Sequence, residues 1–210
     1  MRCAKSVAVL VDGGFVTKIL RRQLGHFPDA DEVESEIAQR ILRNPALADR
    51  TLYRVFFYDA DPWAQPATNP ITRTTVDYAA TDVAIRGKKL LQQLELKTDY
   101  AVRRGVLACH GWKLGRSALV QLRKAKGNAI TGHDLVPDFE QKGVDMRIGL
   151  DMASLALKRL VDTVVLVTGD SDMVPAMKFA RREGLRVYLH TLGSTMVRPE
   201  LRVHADVVLS

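Results

Sequence analysis

Two continuous apolar runs frame the chain. Val7-Ala8-Val9-Leu10-Val11 stops abruptly at Asp12, and Val164-Val165-Leu166-Val167 stops at Thr168-Gly169-Asp170-Ser171-Asp172. A strand buried on both faces reads as an unbroken apolar run, the pattern of a parallel sheet covered on both sides. Ser6 to Asp12 is therefore a predicted strand, followed by a helix over Phe15 to Leu24 with Ile19 and Leu20 inward and Lys18, Arg21 and Arg22 outward. Asp31 to Leu42 is a second helix, which Asp29 or Asp31 can cap and whose first turn is acidic. Thr51 to Tyr58 is rich in β-branched and aromatic residues and reads as a strand, and residues 62–75, with three prolines, read as a loop. A helix follows over Thr81 to Leu96, with Leu90, Leu91 and Leu94 on its apolar side, then a strand over Tyr100 to Cys109.

Trp112 to His133 is polar, basic and punctuated by glycine, and reads as an excursion from the core fold, a hairpin or loop, at about 112–135. Beyond it the pattern predicts a short strand over Val136 to Phe139 and a helix over Val144 to Leu160. A strand over Thr163 to Thr168, a helix over Asp172 to Arg182, and strands over Leu185 to His190 and Val207 to Leu209 complete the chain. Alternating strands and helices predict an α/β fold with a largely parallel central sheet and right-handed crossovers that place helices on both faces. No internal repeat or linker is visible, and the length fits one domain over 1–210.

Composition narrows the function. No window reaches 18 consecutive apolar residues, so no membrane span is expected. The segment Met1 to Ser6 has no separate apolar region and cleavage site, so no signal peptide is expected either. Cys3 and Cys109 lack paired spacing, which points to a reducing, cytoplasmic setting. The histidines (His26, His110, His133, His190, His204) are scattered without the spacing of zinc ligands. The net charge of +7 favours a polyanionic partner.

The chemistry-bearing residues lie at element boundaries. Open α/β sheets bind ligands at the carboxyl ends of their strands, where this chain places Asp12 and the pair Asp170 and Asp172. Carboxylates that close repel one another, and a hard divalent cation, which prefers oxygen ligands, relieves the repulsion. Each also has a plainer reading as a helix cap, but one acid suffices for a cap. Gly13 and Gly14 permit a tight turn beside Asp12, while Thr168 and Ser171 can orient the pair or a metal-bound water. Asp145 opens a helix three residues after Lys142, which can neutralise it or touch a phosphate. Asp151 lies six residues on, rotated by about 120° on an ideal helix, and an acid among apolar neighbours needs a partner. Asp59-Ala60-Asp61-Pro62 ends another strand but is a good turn sequence. No dinucleotide-binding glycine motif or P-loop is present, and Gly14 stands where an aspartate-nucleophile phosphatase would carry its second Asp.

From Arg103 to Lys142 the cations are Arg103, Arg104, Lys113, Arg116, Arg123, Lys124, Lys126 and Lys142, against Asp134, Asp138 and Glu140. Such a stretch can hold a phosphate backbone, with Trp112 as a base-stacking surface, or it can be a solvated face.

Three blocks together resemble the NYN domain family, LabA-like and PIN-like proteins regarded as ribonucleases. They are Val9-Leu10-Val11-Asp12-Gly13-Gly14, Gln141-Lys142-Gly143-Val144-Asp145-Met146-Arg147-Ile148-Gly149-Leu150-Asp151 and Val167-Thr168-Gly169-Asp170-Ser171-Asp172-Met173-Val174-Pro175. The ordered blocks span roughly residues 6 to 192. The resemblance implies a PIN-like three-layer α/β/α fold and a Mg²⁺- or Mn²⁺-dependent nuclease acting on RNA. Asp12, Asp145, Asp170 and Asp172 are the expected catalytic and metal-binding residues, with Asp151 as a secondary ligand. Many members carry Asn three residues after the first Asp, where this chain has Phe15. The alternative is a non-catalytic RNA-binding or regulatory protein on the same scaffold.

Overall fold

Side-chain alternation in the first strand, β1 (Ser6–Asp12), sets the layering. Val7, Val9 and Val11 enter one hydrophobic core, while Ala8 and Leu10 enter another on the opposite face. The first core is completed by α1 (Gly13–Leu24), α2 (Ala30–Ile37) and, later in the chain, α3 (Asp82–Leu94). The second is completed by α5 (Val144–Leu157) and α6 (Val174–Arg182). The result is the expected three-layer α/β/α arrangement. The computed structural model describes residues 5–124, 129–194 and 198–209.

The remaining strands are β2 (Thr51–Ala60), β3 (Pro66–Thr68), β4 (Thr75–Asp77), β5 (Tyr100–Leu114), β6 (Leu135–Lys142), β7 (Thr163–Val167), β8 (Arg186–His190) and β9 (Val207–Leu209). Two further helices are α4 (Arg116–Lys124) and α7 (Pro199–Val203). The seven-stranded sheet runs β6-β5-β2-β1-β7-β8-β9. Every neighbouring pair is parallel except β5 with β6. From β1 the chain builds outward first to β2 and β5 and only later, through β7, to the other side. The strand order thus reverses between β1 and β7, which makes the crevice beyond their carboxyl ends the ligand position of such a sheet.

The structure departs from the sequence reading in four places. The strand expected to stop at Cys109 continues to Leu114, because Trp112, Lys113 and Leu114 pair with Pro137, Val136 and Leu135. The ladder is irregular between Cys109 and Trp112, and Gly111 there has φ +95°, so a bulge glycine imitated a chain break. Within the stretch read as an excursion, the described residues include α4. The loop expected over residues 62–75 contains the hairpin β3–β4. Its turn is built by Asn69, whose Oδ1 accepts from the backbone N–H groups of Ile71 and Thr72 and whose Nδ2 donates to Gly132 O at 2.8 Å. The second helix closes in a π-turn over Ala38–Leu42, and α7 was not foreseen. No described helix is long and apolar enough to cross a membrane.

At the carboxyl end of β8, His190 is buried, and its Nδ1 accepts from Leu192 N–H at 3.1 Å. Burial, reinforced by the charge of Arg40, pushes its pKa down to about 4. Its unfolded value lies near 6.5, so stability from the neutral ring is complete above that pH and drains away as pH falls toward 4. In urea titrations the wild type is expected to lose stability relative to His190→Asn between pH 7 and pH 4.5. A difference that stays constant over that range would contradict this.

Candidate active site

Asp12 ends β1, and its carboxylate joins two elements. Oδ1 accepts from Phe15 N–H at 3.1 Å, which caps α1, and Oδ2 accepts from the Thr168 hydroxyl at 2.9 Å, beyond the end of β7. Thr168 Oγ1 in turn accepts from Asp170 N–H at 3.1 Å, so one hydroxyl links the two acidic strand ends. Asp170 Oδ1 accepts from Asp172 N–H at 2.9 Å. The capping role open to either acid therefore falls to Asp170, and the exposed Asp172 carboxylate makes no described hydrogen bond or ion pair. Asp145 is exposed in the first turn of α5.

The electrostatics show that these acids act on one another. Burial holds Asp12 above the ordinary carboxylate range; the Phe15 and Thr168 hydrogen bonds pull it back, and the charges of Asp145 and Asp170 push it up again. Asp145 is raised by partial burial and then by Asp170 and Asp172. A fifth acid belongs to the group. Asp59, near the end of β2, is pushed up to about 6, first by burial and then by Asp12 and Asp61, against the lowering hydrogen bonds from Ala60 N–H and Gln141 Nε2. Sequence reasoning ranked Asp59 low as a turn residue. The available signal was that β2 neighbours β1, with Tyr58 in register with Asp12.

Among the described residues, none of Asp12, Asp59, Asp145, Asp170 and Asp172 forms an ion pair, although acids elsewhere on the surface commonly do. The Lys142 expected to offset Asp145 instead pairs with Glu140 at 3.5 Å. Asp151 does not join the group. It accepts from the Tyr58 hydroxyl at 2.8 Å and Arg103 Nε at 3.1 Å, so its partner is internal. The donor set is all oxygen, crowded and uncompensated, which suits a hard divalent cation in its chemistry. Among the described residues, however, no three His, Cys, Asp or Glu side chains are already gathered into a metal-holding cluster.

The glycines differ in role. A Cβ on Gly13 would lie 2.6 Å from the Phe57 ring and 2.7 Å from Tyr58 O, so only glycine lets α1 start this close to β2. Gly14 faces no such obstacle. Phe15 packs its ring on Gly169, where a Cβ would sit 2.5 Å from the ring. Beside these residues lies a cleft of about 490 Å³, lined by Asp12 and Asp170 together with Lys18, Arg22 and Arg198. Arg198 Nη1 donates to Ser171 Oγ at 3.1 Å. Lys18 and Arg22, one helical turn apart just after Asp12, were legible as outward cations but were not assigned to the site.

The basic stretch is less free than its sequence suggests. Arg103 pairs with Asp151 and lies over the Phe56 ring at 5.3 Å. Arg104 pairs with Glu95 at 2.9 Å and with Asp61. Lys113 pairs with Asp138. Arg116 and Arg123 lie exposed on α4 with no described ion pair. The Lys124 side chain and Lys126 lie outside the described residues. Trp112 is half-buried in β5 and lines neither cleft near the acids.

Comparison with known proteins adds three findings. A model of the NYN domain family matches residues 76–210, a span that includes Asp145, Asp170 and Asp172 and begins after Asp12 and Asp59. The uncharacterized protein y4oD of Sinorhizobium fredii is 41% identical over 71 residues, which is 32% of this chain and 32% of that protein. The chain thus spans about a third of that relative's length. A crystal structure of a protein of unknown function from Vibrio parahaemolyticus superposes on 100% of this chain and 94% of its own with a TM-score of 0.53 at 16% identity, a likeness of fold alone.

Asp59 offers a test of the crowded charges. An acid raised in the folded state stabilises fully only below its ordinary value of 3.8 and loses that contribution as pH climbs through about 6. Asp59→Asn, which keeps the oxygen that Ala60 and Gln141 address, should raise stability at pH 7.5 by roughly 1–3 kcal/mol. The gain should vanish near pH 3.5. Denaturant melts at both pH values check this, and a gain of equal size at both would contradict it.

Proposed function

The chain belongs to the NYN domain family, and from that premise we propose that it is a divalent-metal-dependent ribonuclease that hydrolyses RNA phosphodiester bonds. The observation that carries this reading is the set of crowded carboxylates at the β1–β7 crevice, where neighbouring acids raise Asp12 and Asp145 and no cationic partner stands among the described residues. Asp12, Asp145, Asp170 and Asp172 would hold Mg²⁺ or Mn²⁺, with Asp59 as a further nearby acid. A cation bound there supplies Lewis acidity and lowers the pKa of a bound water.

The chain's own residues do the rest. Phe15 N–H and the Thr168 hydroxyl fix the orientation of Asp12, so its remaining lone pairs point without searching. Asp170 is held by its cap, with only Oδ1 engaged. Asp145 and Asp172 stay exposed toward an incoming strand. Lys18, Arg22 and Arg198 share the cleft with the acids and take RNA phosphates, offsetting the repulsion that bare carboxylates exert on a polyanion. Arg116 and Arg123, exposed on α4, offer further contacts to phosphates. Arg103, Arg104, Lys113 and Lys142 contribute less, since each already has an acidic partner.

A non-catalytic RNA binder on the same scaffold is the second reading. Its support is that both Asp12 oxygens already accept hydrogen bonds and that the described acids form no ready metal cluster.

The two readings part on cleavage. Wild-type protein should cut unstructured RNA with Mn²⁺ or Mg²⁺ and stop on addition of EDTA. Asp172→Asn should lower the rate by about 100-fold or more, the scale of losing one preorganised charge-stabilising group, with RNA affinity nearly unchanged. Affinity without cleavage over a panel of RNAs and metals would establish the binder instead. Neutralising Lys18, Arg22 and Arg198 together should flatten the slope of log affinity against log salt by about 2, at roughly 0.7 per single-strand phosphate contact. An unchanged slope would remove these three from the RNA path.

A further inference from the structure

On the far side of Gly14 and Lys18 from the acidic cleft lies a second cavity, of about 560 Å³. Gly14 and Lys18 line both, so one turn of α1 separates them. Its walls are aromatic and come from segments distant in sequence. Trp63 and Tyr78 flank the β3–β4 hairpin, Phe139 lies on β6, and Phe27 follows α1. The Trp63 and Phe139 ring centroids are 6.0 Å apart with planes tilted by 42°, and Tyr78 meets Phe139 edge-on at 5.3 Å. All four rings are only partly buried, and Trp63, Tyr78 and Phe139 belong to neither hydrophobic core.

The indole N–H of Trp63 and the hydroxyl of Thr17 are buried, so the rings supply the face that a guest meets. Lys18 and Arg21 stand among the lining residues, with Asp59. An aliphatic guest would make no use of those cations. A flat heteroaromatic ring can stack on the aromatic walls, offer acceptors and donors at its edge, and lead to a phosphate at the cations.

We propose that this cavity binds one nucleobase of the RNA strand, stacked against the Trp63, Tyr78 and Phe139 rings. The inference rests on the ribonuclease or RNA-binding reading for its substrate class. The base enters beside Gly14, whose missing side chain leaves the passage to the acidic cleft open, and Lys18 takes the intervening phosphate. The pocket thereby chooses the nucleotide next to the bond at Asp12. Asn69 is a positioning residue for it, because its bond to Gly132 O ties the hairpin between Trp63 and Tyr78 to the segment before β6.

The chain has two tryptophans, so ¹⁵N-labelled protein gives two indole N–H resonances, which Trp112→Phe assigns. If that variant unfolds, Trp63→Phe assigns them by the other signal. In EDTA, without catalysis, the four nucleoside 5′-monophosphates and ribose 5-phosphate are titrated in turn. At least one nucleotide should shift the Trp63 indole resonance to saturation while Trp112 stays still, and ribose 5-phosphate should leave Trp63 unmoved. Phe139→Leu should weaken that binding about tenfold, the loss of one base–aromatic contact. Asp172→Asn should leave it unchanged, so failed cleavage and a failed pocket are separate results. If no nucleotide moves Trp63, or if ribose 5-phosphate moves it equally, the pocket is not a base site, whatever the chain does to RNA.

Discussion

The site depends on the Asp12 carboxylate, held between the Phe15 N–H and the Thr168 hydroxyl. Those two bonds fix the start of α1 and the end of β7 to one side chain, at the point where strand order reverses. Gly13 makes the arrangement possible by letting the helix begin against β2 without a Cβ in the way. The same closeness that builds the crevice lets the charges of Asp145 and Asp170 raise Asp12, and that of Asp12 raise Asp59. The fold sustains this repulsion because two hydrophobic cores, one on each sheet face, anchor the strands that carry the acids.

What was legible in the sequence was whatever burial writes locally. The runs Val7–Val11 and Val164–Val167 announced themselves because both faces of each strand are covered, and each pointed at its terminal acids. What was not legible depends on partners far along the chain. Asp59 looked like a turn residue until β2 was known to lie beside β1. The run of β5 past Cys109 was hidden because its partners, residues 135–137, come from beyond the stretch read as an excursion. Arg103 and Arg104 looked free because Asp151, Glu95 and Asp61 come from other elements. The aromatic pocket draws on four segments, so no local pattern could display it.

Charge is thus divided differently from a simple reading of composition. Much of the basic stretch between residues 103 and 142 supports the fold through ion pairs, while the cations that share the cleft with the acids come from α1 and from Arg198. Phe15 packs on Gly169 and lines the cleft, setting an apolar wall beside the acids.

The central claim, that the β1–β7 crevice holds a divalent cation, is tested most directly by anomalous scattering from crystals soaked in Mn²⁺. The account predicts a manganese peak in contact with Asp12 and at least one of Asp145, Asp170 and Asp172, lost in crystals of Asp12→Asn. No peak at the crevice under Mn²⁺ conditions that support RNA cleavage, or a peak bound elsewhere in the molecule, would contradict it.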